Sequence, residues 1–144
     1  MSKAFDCAMR LLSRREHGAL ELCKKLERKG FTKDEAQQAL DLCQELDVQS
    51  DTRFIESYSR SRIRQGYGPV KIIQELKIRG IDAELIHKVF GQEQHDWHAY
   101  ALEVWQKKTR GVIADSLAEK HKQQQFLLYR GFESDVIVEV FNTK

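Results

Sequence analysis

The chain has 144 residues, 41% hydrophobic and 32% charged, with a formal net charge of +2. One proline and eight glycines are too few turn residues for an all-β protein. No apolar run nears the roughly 18 residues that span a membrane, and Met1-Ser2-Lys3-Ala4-Phe5-Asp6 lacks the apolar block of a secretory signal, so a cytoplasmic, all-α protein is expected.

The first helix is expected over 5–14, where Ala8, Met9, Leu11 and Leu12 recur at helical spacing. The second, 18–29, runs into Leu26-Glu27-Arg28-Lys29-Gly30-Phe31. Basic residues in a last turn suit the negative end of the helix dipole. Gly30 can then take the left-handed conformation that closes a helix, with Phe31 folding back onto it. Thr32-Lys33-Asp34-Glu35 is a capping box opening a helix over 33–46. Asp51 is the expected cap of the fourth helix, 52–65, whose stripe is Phe54, Ile55, Tyr58 and Ile63. In Gly66-Tyr67-Gly68-Pro69, Gly66 ends that helix, Gly68 serves as N-cap, and Pro69 takes the first position of a helix over 69–79. No Gly-Lys-Ser/Thr follows and no strand precedes, so this is a helix–helix turn rather than a phosphate loop. Asp82 caps a sixth helix, 83–90. Trp97, Tyr100, Ala101, Val104 and Trp105 mark a seventh, 96–109, and the last two are expected over 116–130 and 134–142.

These helices form an internal repeat of about 50 residues. Gly30, Gly80 and Gly131 each follow a basic residue, stand four after a leucine, and precede Phe31, Ile81 and Phe132. Six residues past each glycine are Ala36, Ile86 and Ile137; ten past it are Leu40, Phe90 and Phe141. Three tandem three-helix repeats are expected, at 1–51, 52–94 and 95–144, in an elongated, curved arrangement suited to an extended partner.

The small net charge conceals an alternation. Residues 10–29 hold seven basic and three acidic side chains, and 31–51 one and six. Residues 53–80 hold seven and two, 82–103 one and five, and 106–131 six and two. The first two helices of each repeat are thus basic and the third acidic. One reading is a basic face for nucleic acid or an acidic protein groove, formed by Arg10, Arg14, Arg15, Lys24, Arg60, Arg62, Arg64, Lys71, Lys107, Lys108, Lys120 and Lys122. The plainer reading is that adjacent basic and acidic helices neutralise each other in weak ion pairs. Arg60 and Arg64, four apart, share a helix face. Tyr58 and Tyr67 lie nearby, to stack on a base or to pack in the fold. Arg53 and Arg79 stand beside helix ends, where carbonyls or acids can take them.

Catalytic and metal patterns are missing. His95 and His98 are three apart, but no further histidine or cysteine is close enough to complete a zinc set. No nucleophile triad, HExxH or dinucleotide fingerprint occurs. Cys7, Cys23 and Cys43 are odd in number and form no CxxC pair, so they are expected as small core residues. No cofactor, metal or enzymatic activity is expected.

Leu11-Leu12-Ser13-Arg14-Arg15-Glu16-His17, with Glu21-Leu22 and Lys25 to Phe31, resembles the first signature of the RecX family. Asp51-Thr52-Arg53-Phe54 resembles the second. Arg64 to Ile72, running on to Glu75-Leu76 and Arg79-Gly80-Ile81, resembles the most specific one, and Phe126 to Phe132 the C-terminal one. The resemblance covers nearly the whole chain in the family's order. It implies a regulator of the recombinase RecA that binds in the groove or at the end of the RecA–DNA filament; a monomer is expected. Inhibition of RecA's ATPase, strand exchange and coprotease activities is also implied, with direct binding of single- or double-stranded DNA in some members. Two departures stand out. Gly18-Ala19 replaces the usual Ser-Arg after the histidine, removing a cap hydroxyl and a charge. Val48-Gln49-Ser50-Asp51 replaces an apolar residue, Leu and two acids, keeping the cap at Asp51. The alternatives are a general DNA-binding helical module without RecA, and a helical scaffold for another protein.

Overall fold

The structure, a computed structural model, describes residues 2–142. Among them are nine α-helices and no strand: α1 Lys3–Arg14, α2 Ala19–Arg28, α3 Lys33–Glu45, α4 Asp51–Arg64, α5 Pro69–Ile78, α6 Ala83–Gln92, α7 Trp97–Thr109, α8 Leu117–Tyr129 and α9 Ser134–Asn142. Each end falls within two residues of its expected place. No helix of the described residues is long and apolar enough to cross a membrane.

The repeat glycines do what their spacing predicts. Gly30, Gly80 and Gly131 have φ of +101°, +84° and +98°. After each, the next amide reaches back to the leucine carbonyl: Phe31 to Leu26 at 3.2 Å, Ile81 to Leu76 at 3.1 Å and Phe132 to Leu127 at 3.3 Å. This closes the orphan carbonyls of α2, α5 and α8. Gly66, at +92°, ends α4 in the same way. Thr32 accepts from the Glu35 amide at 3.1 Å while Glu35 accepts from the Thr32 amide at 2.8 Å, the expected capping box. Asp82 accepts from the Leu85 amide at 3.1 Å.

Asp51 departs from its expected role. Ser50 caps α4, its hydroxyl accepting from the Arg53 amide at 3.2 Å. The Asp51 carboxylate instead accepts from the Ala19 amide at 2.8 Å and from the Gln49 amide group at 3.0 Å. Gly18 has no hydroxyl to cap α2, so a carboxylate 32 residues away serves that end.

The chain divides into two compact units: unit 1 holds residues 1–58 and 76–91, unit 2 residues 59–75 and 92–144. In unit 1, α1, α2 and α3 close on Phe5, Ala8, Leu11, Leu22, Leu26, Ala39 and Leu40. Cys7 and Cys43 are buried there and Cys23 is half-buried, all three as free thiols. In unit 2, α7, α8 and α9 close on Ala101, Trp105, Leu127, Phe132, Ile137 and Val140. The buried Trp105 indole donates to Gln123 Oε1 at 2.9 Å, satisfying both polar groups.

The Gly66–Pro69 turn belongs to unit 2 and carries a second constraint. The Gly68 amide donates to the Arg130 carbonyl at 2.7 Å and the Val70 amide to the Gly131 carbonyl at 2.9 Å. The start of α5 thus supplies donors to the end of α8. A Cβ on Gly68 would lie 2.6 Å from the Gly131 carbonyl carbon.

Candidate functional site

Several predicted basic residues are held by partners. Arg15 makes two hydrogen bonds to the Glu21 carboxylate, at 3.2 and 2.6 Å, which raise its pKa. Arg62 grips Glu75 with Nε at 2.9 Å and Nη2 at 2.7 Å, donates to Gln65 at 2.6 Å, and lies 3.9 Å over the Tyr67 ring. Lys71 stands 5.3 Å over the same ring. Lys107 pairs with Glu103 at 3.4 Å, both largely exposed. Arg53 takes the Asp47 carbonyl at 2.7 Å and pairs with Glu16 and Asp47, in the helix-end role expected of it.

These pairs draw mainly on acids lying in or beside the basic helices, not on α3 or α6. The plain neutralisation reading therefore holds for only part of the set. Among the described residues, Arg10, Arg14, Lys24, Arg60, Arg64, Lys108, Lys120 and Lys122 make no ion pair.

Within unit 2, three of the predicted residues come together. Arg64 at the end of α4 and Lys107 and Lys108 on α7 line a groove of about 660 Å³ with Tyr100, Phe126 and Arg130. Arg130, which the sequence reading passed over, organises it. Its Nη1 donates to the Gln65 carbonyl at 3.0 Å, closing the end of α4. Its guanidinium stands 5.0 Å from both the Tyr67 and the Phe126 ring centroids, and Lys108 stands 5.1 Å over Phe126. Each such contact is worth roughly 0.5–1 kcal/mol at exposed sites. Four cations share this groove with one carboxylate, Glu103. Tyr67 is therefore a packing ring clasped by Arg62, Lys71 and Arg130, the structural of its two readings. Lys122 lines a separate, more apolar groove with Val112, Ile113 and Tyr129, while Arg60 and Lys120 lie on the exposed surface outside both.

Within unit 1, Arg10 and Arg14 are exposed on α1, and Lys24 lines a smaller groove with Lys25, Arg28 and Arg79. Tyr58 lies under the Arg79 guanidinium at 5.0 Å and against Phe54 at 5.6 Å, again as packing. Arg28 and Arg130 fall outside the predicted basic set because each stands in a last helical turn, where it reads as a dipole partner. No local pattern says that Arg130 reaches a carbonyl 65 residues away.

The family models described as the first, second and third three-helix domains of RecX match residues 4–43, 50–89 and 96–141. A regulatory protein RecX of Legionella pneumophila is 57% identical over 98% of this chain and 94% of its own length. One of Pseudomonas entomophila is 40% identical over 90% and 84%. The crystal structure of RecX from Lactobacillus salivarius superposes with a TM-score of 0.84 at 23% identity, covering 98% of this chain and 94% of that one.

Proposed function

The chain belongs to the RecX family of regulatory proteins, and from that premise we propose that it restrains RecA by binding the RecA–DNA filament. The single observation carrying this reading is the likeness to regulatory proteins RecX, which extends over 98% of the chain. The unit 2 groove supplies a physical means. Arg64 and Lys108 are exposed and make no ion pair among the described residues, on a surface where Arg130 lies over the Tyr67 and Phe126 rings. Such cations meet DNA phosphates or acidic side chains of the recombinase at a small desolvation cost. Bound along the filament groove or at its growing end, the protein would exclude a second duplex or an incoming RecA subunit. ATP hydrolysis, strand exchange and coprotease function would all fall.

The test is RecA's single-strand-dependent ATPase, titrated with this protein far below the RecA concentration. Strong inhibition at sub-stoichiometric levels supports filament regulation by blocked growth, whereas inhibition only near saturation indicates groove coating. No inhibition by the folded protein, with RecA from the same source, overturns the reading. Arg64→Gln with Lys108→Gln is the informative variant, since Arg62 is engaged by Glu75 and its loss would also disturb the fold.

A further inference from the structure

Lys25 holds its amine against a buried imidazole. Its side chain is half-buried, and Nζ stands 3.0 Å from Nε2 of His17, a residue 2% exposed. The other ring nitrogen, Nδ1, is 3.0 Å from the Arg15 carbonyl. A carbonyl only accepts and an ammonium only donates, so the ring is the neutral tautomer with its proton on Nδ1. The Nε2 lone pair is therefore an acceptor aimed at the lysine nitrogen. Gln49 steadies the backbone at this point, its side-chain amide donating to the His17 carbonyl at 3.1 Å.

The surroundings favour loss of the lysine's own proton. Lys25 opens onto a groove of about 220 Å³ that Lys24 and Arg28 of α2 and Arg79, just beyond α5, also line. The carboxylate among them, Glu21, takes two bonds from Arg15 and a weaker contact from Arg79 at 3.5 Å. Lys25 makes no ion pair with it. Burial first, then the charges of Arg15, Arg28 and Arg79, hold the Lys25 pKa below its ordinary value, against the opposite pull of Glu21. Desolvation and neighbouring cations are what turn a lysine into a nucleophile, because only the neutral amine attacks a carbonyl.

The same cations select the acyl donor. A donor whose leaving group is a phosphate brings negative charge to Lys24, Arg28 and Arg79, which bind it and stabilise the further charge it gains on departure. Leu20 and Ile78, both exposed and the second at 85%, flank the groove with apolar surface for a short acyl chain.

We propose that Lys25 is a site of acylation by a small acyl phosphate, with His17 accepting a proton from the attacking amine. The Nζ lone pair forms the new N–C bond. The C–O bond to the phosphoryl group breaks, its electron pair going to the oxygen, and inorganic phosphate leaves. Of the ammonium protons, one goes to solvent before attack, one passes to His17 Nε2 and on to the departing phosphate, and one stays on the amide. That remaining N–H still donates to Nε2, so the buried imidazole keeps its partner while the groove loses one positive charge. The site lies in unit 1 and does not rest on the filament reading, and its tests need no RecA.

The experiment treats the full chain with acetyl phosphate and follows each lysine by peptide mass spectrometry. Lys24, the exposed neighbour on the same groove, is the internal reference. Lys25 should acetylate roughly tenfold faster than Lys24, a modest share of the roughly hundredfold that a positioned proton acceptor can give. An equal or slower rate at Lys25 overturns the proposal. The phosphate-binding part is read from Lys24→Gln with Arg28→Gln. Both residues are exposed and make no ion pair among the described residues, and circular dichroism checks that the helices persist. In this variant Lys25 should react roughly tenfold more slowly with acetyl phosphate, and be slowed far less toward the uncharged N-hydroxysuccinimidyl acetate. An equal drop with both reagents overturns the assignment to an acyl phosphate. The wild type gives a third readout. The Lys25 charge helps to keep the His17 pKa low, so acetylation should raise it, as followed through the ring protons by NMR. A His17 pKa that stays in place in the Lys25-acetylated chain overturns the pairing of the two residues.

Discussion

The turns at Gly30 and Gly131 are written alike and built alike, yet they stand in different surroundings. Both glycines have φ near +100° and both close a helix with the same pair of backbone bonds. A Cβ on Gly30 would meet nothing within 4 Å, whereas one on Gly131 would lie 2.6 Å from the Lys71 Cβ and 2.7 Å from the Lys71 amide. The first glycine answers only to its own helix. The second also lets the start of α5 lie against the end of α8. A repeat signature therefore specifies a turn, and the position of the copy specifies what the turn carries.

The largest expected effect is that of Gly131→Ala. Left-handed backbone costs about 1–2 kcal/mol for a residue with a Cβ, and overpacking against backbone adds about 1–3 kcal/mol. A loss of about 3 kcal/mol or more is expected by urea unfolding. Both tryptophans, Trp97 and Trp105, lie in unit 2, so indole fluorescence should register it. Gly68→Ala tests the other side of the same crossing, where the cost is packing rather than φ, and should lose about 2 kcal/mol. Trp105→Phe leaves the buried Gln123 without its donor and should cost about 1.5 kcal/mol, again in unit 2. Gly30→Ala should lose only about 1 kcal/mol, visible by far-UV circular dichroism. If Gly30→Ala and Gly131→Ala cost the same, the comparison between the two turns is wrong.

The smallest effect concerns pH in unit 1. His17 has a folded pKa below its ordinary value near 6.5, chiefly through burial. The unfolded chain then binds more protons around that pH, so stability rises with pH there. It should decline as pH falls below about 6.5 toward the lower folded value. His17→Gln should flatten this limb of the stability–pH curve. The lowered Glu21 acts in a more acidic window, its contribution fading as pH falls below the ordinary carboxylate range. An unchanged limb in the His17 variant would show that this histidine is not held neutral.

Much of the fold was legible because its signals are local. Apolar spacing, capping boxes and the glycine after a basic residue act within one or two helical turns, and α1 to α9 follow them closely. The site was legible only in part. Arg15 and Arg62 appeared among the candidate basic residues, yet Glu21 and Glu75 hold both. Arg64, Lys107 and Lys108 were named, and the structure sets them around one groove. Arg130 was absorbed into the helix-end rule, although its guanidinium links Gln65, Tyr67 and Phe126.

The sequence by itself determined the nine helices of the described residues, the three-fold repeat and the family, because each rests on patterns readable along the chain. Tertiary structure alone decided that Asp51 caps α2 rather than α4, that Gly68 faces the Gly131 backbone, and which cations keep a free charge. Those outcomes depend on which side chain lies within hydrogen-bonding reach of which group. A carboxylate 32 residues away can replace a missing cap, and a carboxylate six residues away can engage a basic side chain.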